Sequence, residues 1–136
     1  MAVRMEGRYL GKLKLRLRHG PSGAEIVTVA PVDNHGDGSS FSPTDLCAVS
    51  LGTCMVTVMA IFAEENGIPF GNASFEIEKH MRADPRRIDR LPLTVHMPAG
   101  LTGEQRVKLE RVGRACPVSR SLHPDVRQEI QFVYPD

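Results

Sequence analysis

With 136 residues, 41% of them apolar and 24% charged, the chain lies in the ordinary range for one globular domain and outside the disordered, collagen-like and coiled-coil classes. A formal net charge of +1, no tryptophan and no basic recognition motif argue against a nucleic-acid partner. No apolar leader with a small-residue cleavage site opens the chain, so the expected location is the cytoplasm, where structural disulfides are disfavoured. Three cysteines cannot all pair within one chain, which leaves catalytic, metal-binding and inert buried thiols as the options.

Lys12, Lys14, Arg16 and Arg18 alternate with Leu13, Leu15 and Leu17, the pattern of a half-buried strand with a basic solvated face. His19 to Gly23 reads as a turn and Ala24 to Ala30 as the returning strand, so the first 30 residues are expected to form a hairpin. A polar, glycine-rich loop from Pro31 to Ser40 follows. Ser42-Pro43-Thr44-Asp45 is a helix start: Ser42 suits the N-cap, Pro43 the first helical position, and Asp45 can reach back from the third. The helix can run to Asn66-Gly67, where glycine suits a left-handed C-terminal cap.

Leu46 to Ala63 carries no charge over 18 residues, a length at which a membrane helix must be weighed. Acidic flanks at Asp45, Glu64 and Glu65, no Lys/Arg anchor, and dilution by Ser50, Gly52, Thr53 and Thr57 argue against a membrane span. An all-round apolar helix is instead a core helix, and in so short a chain it calls for cover from a partner, hence a homodimer.

Phe75, Ile77 and Lys79 alternate with Glu76 and Glu78, and Leu93, Val95 and Met97 with Thr94 and His96, which predicts two more strands. Thr102 and Gln105 have capping-box spacing for a second helix reaching Ala115 or Cys116. Pro117 ends or kinks it, a short helical turn follows, and Gln128 to Tyr134 reads as a final strand with Ile130, Phe132 and Tyr134 on one face. No repeat or linker breaks the chain, so one domain over residues 1–136 is expected.

Cys54 lies deep in the apolar helix after Gly52, whose helix cost of about 1 kcal/mol relative to alanine suggests close approach by another backbone. Cys116 is expected at a helix C-terminus, where the dipole disfavours a thiolate and suits a resolving cysteine better than an attacking one. Inert burial remains an alternative for both thiols. Cys47, two turns before Cys54 and about 10.5 Å from it along the axis, cannot form a disulfide with it within one helix. No CxxC or HxxxH is present. A zinc site would need long-range convergence of Cys54, Cys116 and His80 or His19, and His35, His96 and His123 read as turn or surface residues. No metal is therefore expected.

Phe41-Ser42-Pro43-Thr44-Asp45-Leu46 with Ser50-Leu51-Gly52-Thr53-Cys54, and Ala115-Cys116-Pro117-Val118-Ser119, resemble the two cysteine signatures of the OsmC/Ohr family of osmotically inducible and organic hydroperoxide resistance proteins. Val32-Asp33-Asn34, and His80-Met81 through Pro85-Arg86-Arg87-Ile88, are similar to a less characterised OsmC-like branch. The resemblance implies an α+β fold, with antiparallel strands around a long central apolar helix plus a second helix, in an interlocked homodimer.

It also implies a thiol-dependent hydroperoxide reductase of the oxidative stress response. Cys54 would be the peroxidatic thiolate and Cys116 the resolving thiol, with a lipoyl-type or other dithiol as reductant. A desolvated thiol needs a positive neighbour to ionise. Arg8 is the best positional match to the family's arginine, Arg86 and Arg87 are substitutes, and His80 is a possible supporting group. Where the family places a glutamate ten residues before its first cysteine, this chain has Thr44. Either Asp45 fills that role as well as capping, or the arginine–carboxylate pair is lacking and the activity altered. The alternative reading is a non-catalytic ligand-binding or redox-sensing homodimer of the same fold.

Overall fold

A computed structural model describes residues Met1–Asp136. Its contacts divide the chain into two units, Met1–Cys47 and Ala48–Asp136.

The first unit is a three-stranded antiparallel sheet of β1 (Met5–Gly11), β2 (Lys14–His19) and β3 (Glu25–Val29), in that order. The hairpin expected from the sequence is β2 and β3. The structure adds β1 in front of it, so Arg8 lies inside a strand and not ahead of one. The β1–β2 loop is two residues long, and both of them, Lys12 (φ 55°) and Leu13 (φ 64°), are left-handed, as a tight hairpin with right-twisted strands requires. Register places Glu6, Arg8, Arg16, Arg18 and Glu25 on one face, and Met5, Tyr9, Leu15, Leu17 and Ile26 on the other. In β2 Leu17 is half-buried as expected and Leu15 is 37% exposed, while Leu13 falls in the turn; the rest of the apolar face is more open, with Met5 68% exposed, Tyr9 60% and Ile26 51%. A 3-10 turn at Val32–Asn34 and the loop after it return the chain, with Lys14 Nζ 3.3 Å from Asp37 Oδ2 and the Ser39 N–H donating to Asp37 Oδ1 at 2.9 Å.

The helix α1 (Pro43–Glu65) starts where the sequence places it. The Asp45 N–H donates to Ser42 Oγ at 3.0 Å, and the Ser42 N–H donates to Asp45 Oδ2 at 2.9 Å. Gly67, with φ 64°, follows its end as expected. Its best 18-residue window, of mean hydropathy 2.2, is long and apolar enough to cross a bilayer; 33% of it is buried. The buried residues Ala48, Leu51, Gly52, Met55, Met59 and Ala63 recur every three or four positions and define one face.

In the second unit that face meets a four-stranded sheet and a second helix. The strands are β4 (Ser74–Ile77), β5 (His80–Arg82), β6 (Arg87–His96) and β7 (Arg127–Val133). β6 is central, antiparallel to β4 and β5 and parallel to β7. Lys79, expected within the first of these strands, falls in the link between β4 and β5. Leu91, Leu93 and Val95 of β6, with Leu109 of α2 (Gly103–Arg114), complete a core of fully buried side chains around Leu51, Met55 and Met59. Each fully buried aliphatic side chain contributes about 1.5–3 kcal/mol.

Two glycines set the spacing. A Cβ at Gly52 would lie 2.4 Å from the Phe75 ring, so the close neighbour there is an aromatic side chain and not the backbone that the sequence suggested. A Cβ on Gly113 of α2 would come within 3.0 Å of Met59 Sδ, which lets the two helices pack closely. Thr102 and Gln105 form the reciprocal capping box expected for α2. The end of the chain is pinned to α2: Arg106 stacks over the Tyr134 ring at 4.2 Å and pairs with Asp136 at 3.0 Å, while the Tyr134 hydroxyl donates to Glu110. Burial first, then that carboxylate, push the Tyr134 hydroxyl's pKa far up.

Candidate active site

Cys54 is held by α1 at the edge of its buried stripe, one residue before Met55, and is half-buried. Cys116 reaches the same place from the other end of the unit. α2 stops at Arg114, Ala115 closes it, and Pro117 begins α3 (Pro117–Ser121), because a residue without an N–H is best accommodated in the first turn. Cys116 is therefore not the last residue of a helix, as its sequence suggested, but the N-cap of the next. Its backbone is extended (φ −65°, ψ 148°), and its Sγ accepts the Ser119 N–H at 3.4 Å. A peptide N–H on the sulfur favours the thiolate, opposite to the helix-end effect expected.

Burial outweighs that contact. Cys116 is fully buried, and desolvation raises its pKa. The Ser119 N–H acts the other way, the neighbouring Cys54 raises it further, and Val118 lowers it slightly. Two residues far apart in sequence thus converge on one core, and the nearby Cys54 adds to the burial that keeps the proton on Cys116.

Ser119 is fixed from outside α3. Its hydroxyl donates to Gln128 Oε1 at 2.5 Å, and Gln128 Nε2 donates to the Ser119 carbonyl at 3.1 Å. Neither residue stood out in the sequence. The available signal was Gln128's place in β7, where Gln128, Ile130 and Phe132 point inward while Arg127, Glu129 and Gln131 are exposed. An amide in an apolar register needs partners.

The other candidates take the following places, each within its own unit. Arg8 is exposed on β1, directly opposite Arg16, and lines a hollow of about 300 Å³ with Arg16, Arg18, Glu6 and Glu25. Thr44 and Asp45 belong to the α1 cap: Thr44 Oγ1 lies 3.2 Å from Ser42 Oγ, and Asp45 commits one carboxylate oxygen to the Ser42 N–H. Arg86 is exposed in the turn before β6, and Arg87 engages His123 Nδ1 at 3.1 Å and Asp125 at 3.6 Å. His80 Nε2 is 2.7 Å from Glu78 Oε1. Cys47 is half-buried near the start of α1. No group of three or more His, Cys, Asp and Glu side chains is placed to hold a metal ion.

The profile of the family described as OsmC-like protein matches residues 36–131. A solved structure from Psychrobacter arcticus 273-4, provisionally named an osmotic stress induced and detoxification response protein, is 35% identical. It covers 98% of this chain and 97% of its own, with a TM-score of 0.92. The organic hydroperoxide resistance protein OsmC of Legionella pneumophila matches with TM-score 0.73 at 17% identity, over 97% of this chain and 96% of its own. The organic hydroperoxide resistance protein OhrB of Bacillus subtilis matches with TM-score 0.71 at 16% identity, over 98% of each chain. Among curated proteins, none matches the sequence.

Proposed function

Because this chain belongs to the OsmC-like protein family and has its α+β fold, we propose that it is a thiol-dependent peroxidase, reducing organic hydroperoxides in the oxidative stress response through Cys54 and Cys116. The observation that carries this reading is the convergence of the two cysteines on one core, where Cys54 packs against the buried cluster that holds Cys116 and comes near enough to add to the rise of the Cys116 pKa.

The Cys54 thiolate attacks the terminal peroxide oxygen; the O–O bond breaks, the alkoxide takes a proton and leaves as the alcohol, and Cys54 becomes a sulfenic acid. Cys116 then attacks that sulfur, an S–S bond forms, and the sulfenic oxygen leaves as water. A dithiol reductant, lipoyl-type or another thiol system, returns both sulfurs to thiols and is itself oxidised to its disulfide. No cofactor enters the cycle. Arg8 is the proposed partner of the Cys54 thiolate, with Arg86 and Arg87 as substitutes. Asp45, already holding the helix cap, is the proposed stand-in for the family's glutamate at the position of Thr44.

The proposed assembly is a cytoplasmic homodimer, with residues 1–136 acting as one domain in each copy. Its support is apolar surface left uncovered in the single chain. In the first unit this is the face carrying Met5, Tyr9, Leu15 and Ile26, with an apolar hollow of about 420 Å³ lined in part by Met5, Leu17 and Ile26. In the second it is Ile61 on the outer side of α1. A bilayer is a poorer cover for α1, since Asp45, Glu64 and Glu65 flank its apolar run with no Lys/Arg anchor beside them.

The test is the intact mass and free-thiol count of reduced protein before and after one equivalent of an organic hydroperoxide, repeated with Cys116→Ser. The expected result is loss of two thiols in the wild type and a trapped Cys54 sulfenic acid in the variant. Survival of both thiols would sink the peroxidase reading in favour of a ligand-binding dimer.

A further inference from the structure

The Ser119–Gln128 pair has no place in the two-step cycle, yet it bears directly on the second sulfur. Cys116 can accept the Ser119 N–H only while α3 keeps its first turn closed, and α3 has just five residues, too few to be stable by helix propensity alone. Its first turn depends on what Ser119 is fastened to. Gln128 supplies a two-point hold, accepting from the hydroxyl and donating to the carbonyl of the same residue. Gln128 is itself set by the β6–β7 ladder, opposite Leu91, a fully buried core residue. A rigid strand is thereby connected through one amide to the turn that carries the resolving thiol.

We propose that Gln128 is a positioning residue for Cys116: by clamping Ser119 it keeps a peptide N–H on the Cys116 sulfur and holds that sulfur toward Cys54, so that it governs closure of the disulfide and not the attack on peroxide. This deepens the peroxidase reading and rests on it. The direction of the effect follows from chemistry. The sulfur that attacks the sulfenic acid is most reactive as a thiolate, and Cys116 is held protonated by burial. The Ser119 N–H is the largest influence lowering its pKa. Loosening Ser119 removes that stabilisation and lets the sulfur swing away.

The experiment compares wild type with Gln128→Met, which keeps length but loses both hydrogen bonds, and Gln128→Glu, which keeps the acceptor. Single-turnover mixing with cumene hydroperoxide, quenched with dimedone and read by intact mass, separates Cys54 oxidation from disulfide closure. In Gln128→Met the oxidation step is expected at the wild-type rate and closure about tenfold slower. Dimedone-trapped Cys54 should rise accordingly, and Gln128→Glu should recover part of the closure rate.

A second measurement needs no peroxide. Thiolate absorbance of the Cys47→Ser/Cys54→Ser double variant, titrated with and without Gln128→Met, should give a higher Cys116 midpoint when Gln128 is replaced. A purely structural role for Gln128 would lower the melting temperature while leaving midpoint and closure rate in place, and that result overturns the inference. If the wild type consumes no peroxide, the peroxidase reading fails by itself, and the absorbance titration alone then decides whether Gln128 positions Cys116.

Discussion

The two units stand in opposite relations to their own apolar residues. In Ala48–Asp136, Leu51, Met55, Met59, Leu91, Leu93, Val95 and Leu109 are all fully buried around one sheet and one helix face. In Met1–Cys47, three antiparallel strands satisfy each other's backbone groups but leave one apolar face largely open, and Val29 is the one fully buried large side chain. Backbone pairing and core formation are therefore separable. The first unit has the former and needs another surface for the latter, since a small sheet without a covered hydrophobic face is marginal in water.

The largest expected effect falls on the self-sufficient unit. Leu93→Ala removes a central strand side chain that is 1% exposed, with little room for the neighbours to close in. It should cost about 2–5 kcal/mol in chemical denaturation, visible as a lower urea midpoint with unchanged slope. Leu15→Ala, in the open face of the first unit, should cost far less when the chain is dilute. Equal costs for the two would break the contrast between the units.

Ile26→Glu, which places a charge in the middle of the exposed face, probes what covers that face. In a single chain it is close to neutral, because Ile26 is already half exposed. If a second copy covers the sheet, the charge is buried at each interface, and self-association should weaken by about 2–3 kcal/mol, roughly a hundredfold in Kd. Sedimentation equilibrium reads this directly, and an unchanged dimer would place the interface elsewhere.

Gly52→Ala sharpens the view of the second unit from within. Alanine gains about 1 kcal/mol of helix propensity, but its methyl would lie 2.4 Å from the Phe75 ring, and a ring wedged against a helix cannot yield as a flexible chain end can. Overpacking of this kind costs about 1–3 kcal/mol, so the net change should be a loss of about 1 kcal/mol by thermal or urea unfolding. A stabilised variant would mean that Phe75 moves freely.

Local chemistry made part of this legible in the sequence. Ser42 and Asp45, Thr102 and Gln105, and Gly67 each declare a helix end by atoms that bond within a few residues, and all three readings hold in the structure. β1 was missed because its hairpin turn is made by Lys12 and Leu13, residues that rarely take left-handed angles and carry none of the glycine or asparagine signature of such loops. β5, three residues long, offers no period to detect. The two cysteines and their pairing are implied by the family resemblance, but periodicity and spacing alone do not bring them together, since that depends on where α2 stops and how β7 runs beside β6. The N-cap role of Cys116 was hidden for the same reason: a proline ends one helix and begins another equally well, and only the tertiary setting selects between them.

The smallest expected effect returns to the first unit and to charge. Asp37 holds its carboxyl down at about pKa 2, through hydrogen bonds from Ser39 first and the Lys14 ammonium after them. A depressed folded-state pKa gives stability that is present above the usual carboxylate value and is lost as pH falls through the folded one. The window is therefore from about pH 4 down to about pH 2. The group is fully exposed, so the contribution is small and screened by salt. Asp37→Asn should remove the acid-induced loss that Asp37 carries, seen as a flatter urea midpoint between those pH values, and high salt should shrink the difference from wild type only by the Lys14 share, leaving the larger Ser39 share. The same scan on Leu93→Ala should leave the slope untouched, because no carboxylate contributes to the core of the second unit. An acid slope carried equally by both variants would show that the Asp37 carboxylate, with its Ser39 and Lys14 contacts, holds nothing in place, and that the loop after β3 is fixed by its backbone bonds alone, such as the Val29 N–H donating to the Phe41 carbonyl at 3.1 Å.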